Sequence, residues 1–277
     1  MRVWFITGAS RGFGARITAE ALAQGDAVVA TARDPSTVTK QFGSHERLLA
    51  VKLDVTNEAQ AHEAAGAAVK TFGRIDVLVN NAGFGLLGAV EEASDAETQR
   101  VFGTNVFGLL NVTRAVLPHM RRQRSGHVIN ISSVGGYAGY PGWGVYGATK
   151  FAVEGLSEAM HAELAPLGIH VTVVEPGFFR TDFLDDQSLS RTRQEIPDYI
   201  DTVGKTRNVA ADVNHAQRGD PSKLAAAFMK LVDTNTPPTR LPLGSDTVER
   251  IEAKHAHVEK ELAAWRDVAV STDWTNA

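Results

Sequence analysis

The chain has 277 residues, with 28 Lys plus Arg against 32 Asp plus Glu for a formal net charge of −4, and no cysteine. Disulfides, thiolate nucleophiles, Fe–S clusters and cysteine-ligated zinc are therefore excluded, and the mild acidity argues against a nucleic-acid binder, which needs a basic face. Hydrophobic residues at 43% and charged residues at 22% describe an ordinary globular chain, and no apolar run approaches the roughly 18 residues of a membrane span.

Only Met1-Arg2 precedes the apolar run Val3-Trp4-Phe5-Ile6. That run is too short for a targeting core, so a cytoplasmic location is expected and the run reads as a strand over 3–6. A helical pattern follows, with Ile17, Ala21 and Leu22 on one face and Gly25 as its stop. Strands are expected over 27–32 and 47–55, an alanine-rich helix over 58–72 and a strand over 75–79. One long helix is expected over 97–122, then a strand over 127–131, a helix over 146–167 and a strand over 169–174. From 184 to 220 the pattern is polar and unassigned. Asp220-Pro221 then opens a helix, with Asp as N-cap and Pro at the first helical position. A last strand is expected over 239–243, confined by Pro242 to an edge or an end. Residues 245–268 are amphipathic and charged. Strands alternating with helices at this spacing predict an α/β, doubly wound architecture: a parallel sheet of about seven strands with helices on both faces. No linker or repeat interrupts it. One domain over 1–277 is expected, with a variable segment at 184–220 and a C-terminal extension at 245–277.

The first strand runs into Gly8, Ser10, Arg11, Gly12, Phe13 and Gly14, with glycines spaced G-x-x-x-G-x-G rather than G-x-G-x-x-G. Either spacing lets the backbone turn tightly and approach a pyrophosphate at the helix N-terminus. A merely tight turn is the plain alternative; the place after the first strand of a βα alternation favours a phosphate cradle. Cofactor choice rests on the end of the second strand. Arg33 follows Gly14 by 19 residues, where NAD binders usually carry an acid for the ribose hydroxyls. Its guanidinium suits a 2′-phosphate, with Arg11 as a second cation, so NADP(H) is preferred. Asp34, next door, keeps NAD(H) as the less favoured choice.

Tyr146 and Lys150 are an i, i+4 pair at a helix start, so both can face one ligand. A cation there favours phenolate, and a tyrosine tuned in this way can exchange protons near neutral pH. Ser133, 13 residues earlier, ends a strand, where open α/β sheets bind ligands. Its hydroxyl can bond a substrate oxygen. Ser132 competes for this role, and alternation sends the two side chains to opposite sides.

With these residues in place the chain resembles the short-chain dehydrogenase/reductase family, in its compact single-domain branch with a Rossmann fold. The resemblance covers roughly residues 1–185, and more loosely the helix after Asp220. Thr7-Gly8-x-x-x-Gly12-x-Gly14 is similar to the family's cofactor turn, and Asp54-Val55 to the pair used against adenine. Asn80-Asn81-Ala82-Gly83 is similar to the family's Asn-Asn-Ala-Gly segment, and Pro176-Gly177 with Thr181 to the segment closing over the nicotinamide. Asn105 falls where the family places its catalytic asparagine, joining Ser133, Tyr146 and Lys150. The resemblance implies that Tyr146 exchanges a proton with the substrate oxygen and Ser133 orients that oxygen. It implies that Lys150 lowers the Tyr146 pKa and binds the nicotinamide ribose, and that Asn105 holds a relay water. It also implies a homodimer or homotetramer built on the helices around 98–122 and 148–166.

Phe84, Leu86, Tyr137, Tyr140, Trp143, Phe178, Phe179, Phe183 and Leu184 are the candidates for a substrate pocket. Such an apolar group suits a hydrophobic ketone or secondary alcohol rather than a sugar. No His-Glu-x-x-His occurs and the nine histidines are scattered, so no metal is expected. The expected function is an NADP(H)-dependent carbonyl reductase or alcohol dehydrogenase. A cofactor-sensing or scaffolding protein on the same fold is the main competitor, and a dehydratase or epimerase a further one.

Overall fold

The computed structural model describes residues 1–274. Its first half runs β1 (Val3–Thr7), α1 (Gly12–Ala23), β2 (Ala27–Ala32), α2 (Ser36–Phe42), β3 (Leu48–Lys52), α3 (Glu58–Phe72) and β4 (Val77–Asn80). Every residue of β1, β2 and β4 is buried, as in parallel strands covered on both faces. Helix α3 shows how local sequence fixes an element. The Asn57 side chain accepts from the Gln60 N–H at its start, and Gly73, at φ 80°, ends it. Between them Ala61, Ala64, Ala65 and Ala68 recur at helical spacing, and all four are buried.

The second half runs β5 (Gly85–Leu87), α4 (Asp95–Phe102), α5 (Leu109–Gln123), β6 (Gly126–Ile131), α6 (Gly144–Leu164), β7 (Ile169–Pro176), β8 (Leu189–Arg191), α7 (Lys205–Asp212), α8 (Pro221–Asp233), β9 (Arg240–Leu243) and α9 (Ser245–Val270). Seven strands form one parallel sheet in the order β3-β2-β1-β4-β6-β7-β9. One face packs Phe5, Val29, Leu78 and Val128 against α3, α5 and α6. The other packs Trp4, Ile6, Val28 and Val79 against Ile17 and Ala21 of α1 and Leu224 and Phe228 of α8. This is the doubly wound sheet expected from the alternation. The strand order reverses between β1 and β4, and the crevice at their C-terminal ends is where such a sheet takes a ligand.

Four local expectations change. The helix expected over 97–122 begins at Asp95, where Ser94 and Glu97 form a capping box. A π-helical stretch, Gly103–Gly108, then interrupts it and carries Asn105. The strand expected over 47–55 stops at Lys52, because the Asp54 carboxylate accepts the Thr56 N–H and turns the chain. In the unassigned segment, β8 pairs in parallel with β5. Its anchor is the buried Glu92, which accepts the Ala89 and Ile196 N–H groups and pairs with Arg207. Helix α9 packs on the body only through its first turns. Arg250 lies over the Tyr140 ring at 4.4 Å and donates to the Gly139 carbonyl, whereas Val258, Leu262 and Trp265 are exposed. Of the expected extension at 245–277, residues 275–277 lie outside the described residues. β9 is an edge strand beside β7, the only kind of place where Pro242 fits. Among the described residues no helix is long and apolar enough to cross a membrane.

Candidate active site

A cavity of about 690 Å³ opens at the crevice between the ends of β1 and β4. Gly8, Ser10, Arg11, Gly12, Phe13, Arg33, Asp54, Val55, Asn81, Ala82 and Gly83 line one end of it. Ser133, Tyr146, Lys150, Pro176, Gly177 and Thr181 line the other. Of the expected cofactor and catalytic residues, Gly14 and Asn105 do not line it. A Cβ on Gly14 would sit 2.4 Å from the Gly8 carbonyl oxygen and 2.7 Å from Asn81 Nδ2. Glycine at this position lets α1 press against the turn. Asn105 is buried in the wall; Oδ1 accepts the Phe84 N–H, and Nδ2 donates to the Phe84 carbonyl and to Thr149 Oγ1.

The turn is clamped from β4. The Thr7 hydroxyl accepts the Asn81 and Ala82 N–H groups, and Asn81 Nδ2 donates to the Thr7 and Gly8 carbonyls. The Asn81 side chain is thus spent on holding the turn's shape. Helix α1 starts at Arg11 with no side-chain cap, so the N–H groups of its first turn face the cavity without a protein acceptor from a cap. Arg11 itself reaches across to Gln187, donating to Oε1 at 3.0 Å and to the carbonyl at 2.8 Å. Arg33 is exposed at the rim. Asp34 turns away: its carboxylate accepts the Ser36 N–H at the start of α2, and hydrogen bonds from Ser36 hold the carboxyl below its ordinary range.

Tyr146 and Lys150 share one face of α6, as their spacing requires. Burial pushes the Tyr146 phenol well above the ordinary tyrosine range, and a hydrogen bond with Ser133 pulls the other way. This differs from the sequence expectation that the Lys150 cation governs the phenol. Lys150 Nζ lies 5.7 Å from the Tyr146 ring centroid and donates to the Ile131 carbonyl at 2.8 Å. The neutral phenol is therefore the resident form near neutral pH. Burial lowers the Lys150 ammonium to about 8, against the opposing charge of Glu154. Ser132, the competing serine, is buried and turned to the Lys150 carbonyl, 3.5 Å away. Ser133 lines the cavity with the phenol, its Oγ accepting the Gly135 N–H at 3.1 Å, as alternation at a strand end allows.

Aromatic side chains enclose the phenol. Trp143 lies 5.7 Å from the Tyr146 ring at 65°, and Phe183, stacked on Trp143 at 6.5 Å, lies 5.7 Å from the same ring; elsewhere on the cavity wall Phe13 meets Phe179 edge-on at 5.4 Å. Phe84, Tyr140, Phe178 and Leu184 also line the cavity. Two expected pocket residues do not. Leu86 is buried in β5, and Tyr137 points to a second groove, where its hydroxyl meets His255. Both misses follow from loop paths that side-chain type alone does not reveal. Arg100 is a lining residue that sequence reasoning missed; it lies over the Phe84 ring at 5.4 Å and donates to Ser190 Oγ. Its partners are distant in sequence, so no local signal marks it. The ligand atoms of Asp182, Asp185 and His215 come within 4.8 Å of one another, but Asp185 Oδ1 is already engaged by Asn214 and His215.

Comparison with known proteins follows the same outline. Residues 2–192 match the profile described as short chain dehydrogenase. A 3-ketodihydrosphingosine reductase from Bacteroides thetaiotaomicron is 42% identical over 246 residues, covering 88% of each chain. A crystal structure of a short-chain dehydrogenase from Streptomyces avermitilis superposes with a TM-score of 0.90 at 41% identity, covering 99% of this chain and 100% of that one. A structure of ElxO with NADP bound superposes with a TM-score of 0.75 at 29% identity, covering 90% of this chain and 99% of that one.

Proposed function

The chain belongs to the short chain dehydrogenase family of oxidoreductases, and from that premise we propose that it uses NADPH to reduce a hydrophobic ketone to a secondary alcohol. The observation that carries this reading is the convergence of Tyr146, Ser133 and Lys150 on one wall of a cavity whose other end is a glycine turn. The uncapped start of α1 fits a pyrophosphate, whose charge would meet free N–H groups there. Gly8, Gly12, Ala82 and Lys150 would hold the dinucleotide, and Arg33 its 2′-phosphate. The choice of NADP rests on Arg33 at the rim and on Asp34 being committed to α2. When bound, the cofactor supplies the hydride.

The chain's own residues supply the rest. A phenol kept neutral by burial is in the form that can give a proton, as reduction requires. Ser133 donates to the carbonyl oxygen as negative charge grows on it. The aromatic wall of Trp143 and Phe183 excludes water and accepts an apolar substituent. The relative named as a 3-ketodihydrosphingosine reductase supports a ketone substrate. We extend the reading to a homo-oligomer built on α5 and α6, supported by Phe107 and Phe151, which are 54% and 46% exposed on this side of the fold.

NADPH oxidation followed by absorbance against a panel of hydrophobic ketones tests the proposal. Tyr146→Phe should still bind NADPH but lose about 10²- to 10⁴-fold in kcat, the usual contribution of a general acid. Near-wild-type turnover in that variant overturns the assignment. NADPH binding by the wild type with no turnover of any ketone would favour the sensing reading instead.

A further inference from the structure

Behind Lys150, on the side away from the cavity, a buried charge cluster has no part in the mechanism above. Glu154 lies one helical turn beyond Lys150 on α6 and is 4% exposed; Glu175, near the end of β7, is 0% exposed. Arg240 of β9 places Nη1 against both, 2.9 Å from Glu175 Oε1 and in contact with Glu154 Oε2. Its Nη2 donates outward to Glu158 at 2.6 Å. Glu154 Oε1 and Glu175 Oε2 are buried with no hydrogen-bond partner.

The charges in this wall do not balance by themselves. Two buried carboxylates face one guanidinium, part of whose charge is drawn off by Glu158. Buried charge is tolerated only when it is compensated. Lys150, one turn back, is a buried ammonium whose protein acceptor, the Ile131 carbonyl, is neutral. Each side of the wall thus lacks the charge that the other carries. We propose that Glu154, held by Arg240 opposite Glu175, is the buried counter-charge that keeps Lys150 protonated, and so is a positioning residue that sets the pH above which the cavity loses the ammonium that would hold the dinucleotide. The inference rests on the oxidoreductase reading of Tyr146 and Lys150.

Every charged or titratable neighbour of Glu154 can be named. Lys150 and Glu158 lie on its own helix, Glu175 on β7 and Arg240 on β9, and the Ser132 hydroxyl after β6 is a further polar neighbour. Across a groove between α6 and α9 stand Lys254, His255 and Glu259, with Tyr137 under the Arg240 guanidinium. This groove gives the carboxyl a route to solvent that does not pass through the substrate cavity. Burial, with Glu175 adding to it, holds the Glu154 carboxyl above the ordinary carboxylate range, while Ser132 and Arg240 oppose. Its charge is therefore complete only on the alkaline side of neutrality, where Lys150 is about to lose its proton. Removing that charge weakens the hold of Lys150 on the proton, so the ammonium is lost at lower pH.

The test is the pH profile of kcat/KM for ketone reduction by the wild type, Glu154→Gln and Glu158→Gln. The alkaline limb should move to lower pH by about half a pH unit or more in Glu154→Gln, and stay in place in Glu158→Gln, which touches only the outer side of Arg240. A folded, active Glu154→Gln with the wild-type limb overturns the inference and leaves the proposed function standing. The ε-13C resonance of Lys150 reads the same displacement without turnover, so a wild type inactive on ketones would count against the function and not against the counter-charge. Should Glu154→Gln fail to fold, the wild type alone decides. Its Lys150 resonance should carry a second inflection where Glu154 takes up its proton, and a single-step titration refutes the coupling.

Discussion

Arg33→Ser should cost NADPH binding far more than NADH binding. Arg33 is exposed at the cavity rim, beyond the last residue of β2. A hydrogen bond to a charged group contributes about 1.5 kcal/mol at its weak end, the appropriate end for an exposed side chain, and that is roughly tenfold in Kd. Two features of the structure keep the loss from being masked. Arg11, the other cation of the turn, already donates two hydrogen bonds to Gln187. Asp34, the acid that would serve NADH, has a carboxylate that already accepts the Ser36 N–H. NADPH should thus weaken about tenfold, whereas NADH, lacking the phosphate, should change little. Fluorescence titration of both cofactors against wild type and variant measures this. Ionic strength must be held constant, because an exposed contact is screened by salt. Equal weakening of the two cofactors would refute the reasoning, as would a wild type that binds NADH as tightly as NADPH.

Two further outcomes are expected. Burial, with the His170 ring 5.7 Å away as a second cause, holds the His127 imidazole down to about 3. Its folded pKa lies below the unfolded value, so the unfolded chain takes up the proton first and stability falls as pH drops below about 6.5; the loss is about 2 kcal/mol between pH 7 and pH 5. Thermal melts at the two pH values should show that loss in the wild type and not in His127→Gln, which can still reach Thr172 Oγ1; equal declines would contradict it. Light scattering at low micromolar concentration should read an oligomer, and Phe107→Glu with Phe151→Glu should shift it toward monomer; a wild-type monomer contradicts the assembly reading.

Much of the fold was legible because its signals are local. Helix α3 and strand β2 have the bounds expected from the sequence. Their information is a cap, a stop and a run of apolar side chains, all within the element. The same holds for Asp220, whose carboxylate accepts the Ser222 N–H at the start of α8. Short elements were not legible. β5 and β8 have three residues each and pair across roughly a hundred positions, held by contacts such as that of Arg207 with Glu92. Such pairing leaves no periodicity to read.

The site divides along the same line. Spacing alone determined that Tyr146 and Lys150 share a helix face, that a glycine turn follows the first strand and that an arginine ends the second. These are consequences of helix pitch and strand alternation, which no tertiary contact is needed to fix. Only the tertiary structure decided what each group can do there. It turned Asp34 to its own helix, drew Arg11 to Gln187, made Gly14 a packing residue and took Tyr137 out of the cavity. It also reversed the direction in which the Tyr146 phenol is pushed, because the cost of burying a charge depends on everything packed around it. The set of ionisable groups is written in the chain, but their protonation is set by burial and by neighbours from β7 and β9, which the fold alone brings together.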